Sequence, residues 1–150
     1  MRRLVWFDKP TYSDLMNTEN HSDWRHFLFY VGLALLACHE LDAVARHEWR
    51  LLPIFSSFDD DIGLVAFVLA HIPLFTFLFW ATGHQSETIR RRTQLSVDGF
   101  LVIHAVIHFA LSGHSLYEFE APVETITVYG GAIVGLAHAL LEIGRDRIPK

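Results

Sequence analysis

Four apolar stretches divide the chain, and each is about as long as a bilayer crossing. They run at about 27–45, 62–82, 96–113 and 123–143, close to the ~20 residues that ~30 Å of hydrocarbon demands of a helix. In lipid a backbone polar group must find its partner inside the protein, so isolated crossing segments have to be helical. The expected fold is therefore all-α, an integral membrane four-helix bundle formed by one domain over 1–150. A soluble four-helix bundle is the alternative, and it fits poorly. From Ile62 to Phe79 the only strongly polar side chains are His71 and Thr76, so the second segment lacks the polar face a soluble amphipathic helix keeps.

The breaks between these segments carry turn and cap signals. SSFDDDIG follows Pro53, GHQSETIRRRTQLSVD separates the second and third segments, and GHSLYEFEAPVE leads to Pro122, placed to open a helix. Asp59, Asp60 and Asp61 are read as solvating the first of these turns. Residues 1–25 carry Trp6, Phe7, Tyr12 and Trp24 among polar groups, a pattern suited to an interfacial segment. MRRLVWFDKP has basic residues but no apolar core or small-residue cleavage site, so it is not read as a signal peptide.

Charge sets the orientation. Four crossings place Arg2, Arg3, Lys9, Arg25, Arg90, Arg91, Arg92, Arg145, Arg147 and Lys150 on one side, and only Arg46 and Arg50 on the other. Such a bias marks the first side as cytoplasmic and puts both termini there, in a cell inner (plasma) membrane. The net charge of −5 and the lack of a basic stripe exclude nucleic acid as a partner. The single cysteine, Cys38, excludes an intrachain disulfide framework.

Against this apolar background the ionisable residues stand out. A charged group at membrane depth costs at least ~2–3 kcal/mol, so it faces the protein interior and marks a site. His39, Glu40, Asp42, His71, Asp98, His104, His108, His138 and Glu142 all fall within the four segments or at their edges. At a rise of ~1.5 Å per residue, His39, His71, His104 and His108 lie at about 18, 16, 13 and 19 Å from the cytoplasmic edge. Three different helices thus place histidines near one level. His104 and His108 are four residues apart and share a helix face. Gly131, Gly135, His138 and Glu142 form a single stripe on the fourth segment, where small residues allow close helix approach.

Imidazole with carboxylate is a common ligand set for Zn²⁺ and non-haem iron. The expected metal ligands are His39, His71, His104 and His108. Glu40 or Asp42 would join them or act as general base, and Asp98, His138 and Glu142 would orient the imidazoles from behind. Other roles are open to the same residues. Asp42 and Arg46 are four apart and can simply pair. Pro73 frees the carbonyl of Leu69, and a kink there could let His71 donate to a backbone group instead of a metal. Two of the histidines could bind haem b, and a chain of His, Asp and Glu could relay protons. HELDA is not the zincin HExxH, because Ala43 stands where the second histidine would be.

The run HELDAVARHEWRLLP at 39–53, HAVIH at 104–108 and GGAIVGLAH at 130–138 resembles the small four-helix membrane proteins of unknown function named for an HxxEE motif. It also resembles related families whose first span ends in HELDA followed by EWR. His39 would match the histidine of HxxEE and Asp42 its first glutamate, while Ala43 replaces the second. The resemblance implies four spans and draws attention to His39 and Asp42, and it implies no activity. The ceramidase-like hydrolases offer an analogy of chemistry only, since this chain has fewer spans and no serine partner. The function expected from the residues is a metal-dependent hydrolase or oxidase acting on a lipid-soluble substrate. The alternative is a non-catalytic subunit of a larger membrane complex. Its partners would be the bilayer and a homo-oligomer or larger assembly.

Overall fold

The computed structural model describes residues 12–119 and 121–145, with side chains from residue 24 onward. The interfacial role expected for 1–25 falls largely outside these residues. Where the backbone is described, from Tyr12, it already belongs to the first helix. Helix α1 spans Tyr12–Ala45, α2 Asp60–Thr82, α3 Glu87–Leu111 and α4 Pro122–Arg145. Helix α4 opens with Pro122 in its first turn, passes through a π turn at Thr125–Tyr129 and continues as α-helix from Gly130. Proline suits that first turn because its missing N–H would have had no intrahelical partner. Two short 3₁₀ turns, Glu48–Arg50 and Phe55–Ser57, join α1 to α2. No strand occurs among the described residues.

Each of the four helices is long and apolar enough to cross a membrane. Their outward faces are apolar too. Val65, Ile72 and Phe79 on α2, Ile103 and Phe109 on α3, and Ile133 and Leu140 on α4 are all exposed. Polar and charged side chains instead populate the interior, with His39, Asp98, His108, His138 and Glu142 buried. This inside-out arrangement is opposite to that of a water-soluble bundle, whose charged residues are seldom fully buried.

The helices are not packed evenly. α4 lies against both α1 and α3, whereas α2 touches mainly α3 and the turns that precede it. The tight packing has a visible cause. Leu101 of α3 is a buried knob whose methyls meet Gly32 of α1 and both Gly131 and Gly135 of α4. A Cβ added at Gly135 would stand 3.2 Å from the Asp98 carbonyl oxygen and 3.3 Å from its Cα. Only hydrogen at that position lets the two backbones approach so closely, the device that membrane helices use in place of a hydrophobic driving force. The stripe Gly131, Gly135, His138 and Glu142 is buried along its length. Phe29, Leu33, Leu36, Leu78, Val97 and Leu101 form the apolar core beside it.

Gly135→Val should push α3 and α4 apart, at a cost of about 1–3 kcal/mol for an overpacked site. Gly144→Ala, with nothing within 4 Å of the added carbon, should leave stability unchanged or slightly higher. Thermal unfolding of the two variants in one mild detergent checks this. Equal melting temperatures would mean that the glycine contact is not what closes the bundle.

Candidate metal centre

The ends of α1 and α3 bring three histidines together. His104 and His108 point from one face of α3, as their spacing requires, and His39 meets them from α1. The Nε2 atoms of His39 and His104 lie 2.8 Å apart. The ring centroids of His39, His104 and His108 lie 4.6–4.9 Å from one another. The fourth member comes from outside the helices. Glu48, in the 3₁₀ turn after α1, turns back so that Oε2 lies 3.2 Å from His39 Nε2 and Oε1 lies 3.9 Å from His108 Nε2. Each of the four offers one donor atom, and these atoms all lie within 4.8 Å of one another. His39, His108 and Glu48 are 1%, 3% and 7% exposed.

Tetrahedral bonds of ~2.0–2.1 Å place neighbouring ligand atoms about 3.4 Å apart. The donor atoms here lie from 2.8 Å up to 4.8 Å apart, so the group could hold an ion if its wider contacts drew in. Glu48 Oε2 and His39 Nδ1 are also buried without a hydrogen-bond partner, a condition that native interiors rarely leave unanswered. Burial alone would push the Glu48 carboxyl up. Contact with His39 and the charge of His39, His104 and His108 outweigh burial and hold it below the ordinary carboxylate value.

A supporting chain fixes one of the imidazoles. Tyr117 donates its hydroxyl hydrogen to Glu124. The tyrosine oxygen is then the acceptor for His108 Nδ1–H, 3.1 Å away. With Nδ1 protonated, the lone pair of His108 is on Nε2 and faces the cluster, which is how outer partners orient metal-binding histidines. Burial, then the Glu124 contact, push the Tyr117 hydroxyl well above its usual titration range, so it remains a donor. Phe119 closes the site, with its ring 4.8 Å from that of His108 and 5.7 Å from that of His39.

A family model described as a family of unknown function (DUF6713) matches residues 25–145. The chain belongs to this family. No curated protein and no solved structure matches the chain. DUF6713 agrees with the resemblance at the level of a family without known activity, and it gives no support to the HxxEE or HELDA…EWR families themselves.

Several residues expected at one site lie elsewhere in this DUF6713 chain. His71 is not in the cluster. Its Nδ1 bonds the Phe67 carbonyl at 2.8 Å and its Nε2 meets Glu40 at 2.8 Å, so both Glu40 and His71 are taken up by a separate α1–α2 pair. The backbone partner is Phe67, one helical turn back, and not the Leu69 carbonyl that Pro73 frees. Asp42 pairs with Arg46 at 3.5 Å. Asp98 and His138 hold each other at 2.6 Å, joining α3 to α4. They sit behind no ligand, because Asp98 is six residues from His104, ~9 Å along the helix. Glu142 accepts from Arg25 at 3.2 Å and Arg91 at 3.4 Å.

The pair and the cluster nonetheless share a space. A cavity of about 300 Å³ between α1, α2 and α3 is lined by Glu40 and His71 on one side, Glu48, His104 and His108 on another, and apolar side chains such as Phe100 and Leu74.

Tyr117→Phe removes the acceptor that fixes His108. Imidazole ¹⁵N spectra of the wild-type protein should show His108 protonated at Nδ1, and the variant should show both tautomers. An unchanged His108 spectrum in the variant would mean that the tyrosine does not set the tautomer.

Proposed function

We propose that this is an integral membrane protein that holds one divalent transition metal, zinc or non-haem iron, between His39, His104, His108 and Glu48. On this reading it is a metal-dependent hydrolase or oxidase for a lipid-soluble substrate that enters the adjoining cavity. The observation that carries the proposal is the convergence of four buried donor atoms within 4.8 Å at the edge of an apolar cavity. Three imidazoles and one carboxylate are borderline ligands that zinc and iron both accept. Four protein ligands would fill a tetrahedral ion, so activation of water or dioxygen would require a five- or six-coordinate ion or release of one ligand. Glu40 and His71 face the same cavity and are placed to exchange a proton with a substrate there, while Asp42 is held by Arg46 and has no part in it.

The same geometry argues against haem b. The three rings touch one another, which leaves no slot for a macrocycle between two of them. The outward apolar faces and the positive-inside charge pattern support a plasma-membrane protein with both termini in the cytoplasm. The cluster then lies toward the outer half of the bilayer.

Metal content decides between this reading and a non-catalytic subunit. Protein purified in mild detergent without chelator should carry close to one zinc or iron per chain. Paired alanine substitutions at His104 and His108 should remove it, and Glu48→Gln should lower occupancy by tenfold or more at limiting metal. His71→Gln should keep the metal. A folded wild-type protein free of metal after supplementation with both ions would sink the proposal in favour of the subunit.

A further inference from the structure

A second cavity, about 330 Å³, continues from the first toward the α2–α3 turn. The two share Glu40, Leu74 and Phe100 in their linings, so together they form one long slot between α1, α2 and α3. It exists because α2 stands off from the tight α1–α3–α4 unit. Leu74, Phe77 and Phe100 are partly exposed on its rim, so the slot opens sideways toward the hydrocarbon. Its lining is apolar except at the two ends and at Glu40, whose carboxylate is engaged by His71 at 2.8 Å.

The far end has a different chemistry. Arg92, Thr93 and Ser96 line it. Arg25, Arg46, Arg50, Arg90, Arg91 and Arg145 each hold a carboxylate or carbonyl. Among the described residues, Arg92 is the arginine whose guanidinium has no such partner. Thr93 and Ser96 donate their hydroxyl hydrogens to the carbonyls of Ile89 and Arg92, so the donors for a ligand there are those of Arg92, and a free cation at the mouth of an apolar slot complements one carboxylate.

Length then fixes the size of the occupant. Arg92 and His104 are twelve residues apart on α3, ~18 Å along the axis. An extended chain advances ~1.2 Å per bond, taking the ~3.6 Å spanned by the three backbone bonds of a residue, and covers that distance in ~15 bonds.

We propose that the slot binds a single-chain fatty carboxylate of about sixteen carbons, with its carboxylate at Arg92 and its distal carbons beside His39, Glu48, His104 and His108. The part of the ligand presented to the cluster is therefore the chain, not the headgroup. That these carbons meet a metal rests on the function proposed above. The binding itself does not.

The test is equilibrium binding of tritiated palmitate to the full chain in amphipol. The wild-type protein should bind close to one palmitate. Arg92→Gln should weaken binding about tenfold, as expected for loss of a charge-assisted contact, and hexadecanol should bind wild type no better than palmitate binds the variant. Octanoate, too short to fill both cavities, should bind much more weakly than palmitate. Leu74→Trp, which fills the junction, should reduce palmitate affinity toward that of octanoate. Palmitate binding with no metal in any preparation would support this proposal and remove the metal reading alone. Equal palmitate affinity for wild type and Arg92→Gln would overturn it, as would displacement of palmitate by an equal concentration of phosphatidylglycerol.

Discussion

An ionisable side chain buried among apolar helices has to be met by another protein group, and that requirement organises the interior of this bundle. The pairings fall at two levels. Midway along α3, Asp98 and His138 join α3 to α4 at 2.6 Å. Further toward the end of α3, Glu40 and His71 join α1 to α2 at 2.8 Å, and beside them His39, His104, His108 and Glu48 join α1 to α3 and to the turn after α1. The first two are closed pairs in which each partner answers the other. The group of four is not closed. Its donor atoms lie within 4.8 Å of one another, and two of its buried polar atoms have no hydrogen bond. That contrast separates histidines taken up by a single partner from a group that could hold an ion.

Packing explains where the open space lies. Leu101 fits among Gly32, Gly131 and Gly135, drawing α1, α3 and α4 to close range. α2 has no comparable glycine seam against α1. Its buried Gly63 faces Trp49 and Phe55 of the preceding turns instead, with the added carbon 3.0 Å from the Trp49 ring. One end of α2 is therefore fixed by the turns and the other by the hairpin to α3, while its middle stands away from α1. Glu40 and His71 bridge that gap, and the two cavities lie on either side of the bridge.

Much of this was legible in the residues. Apolar length gave four helices. The i, i+4 spacing put His104 and His108 on one face, and depth put His39 at their level. Depth could not say which neighbour His71 would face, because level along the membrane normal leaves the rotation of each helix undetermined. His71 turns toward Glu40, one residue along from His39 and about a quarter-turn around α1. Glu48 was missed for a different reason. It lies beyond the end of α1 in what reads as a solvated loop, and periodicity carries no information once a helix stops. The available signal was the apolar run WRLLP behind it, unusual for a loop exposed to water. Trp49 is 3% exposed, and the carboxylate beside it is carried inward with it.

The backbone at that point shows how the chain makes the reversal. His47 has φ 55° and ψ 37°, the left-handed region that a non-glycine residue seldom occupies and that costs of order 1 kcal/mol or more. It is the described non-glycine residue with positive φ. Continuing α1 helically would have carried Glu48 away from the bundle, whereas the left-handed step ends the helix and swings the next residue back over His39. The conformation is secured from outside. His47 Nδ1 meets Glu118 at 2.8 Å, and Arg50 reaches Glu118 at 3.6 Å while holding Asp60 through two hydrogen bonds. The Asp60 contact also raises the already high Arg50 pKa, so the cation persists throughout the accessible pH range. Trp49 Nε1 donates to the same Asp60 at 3.2 Å. The turns before α2 and the loop before α4 are thus clasped together next to Glu48. A carboxylate on a loop is ordinarily mobile; here the left-handed step at His47 aims it, and a network of charged groups holds it beside His39.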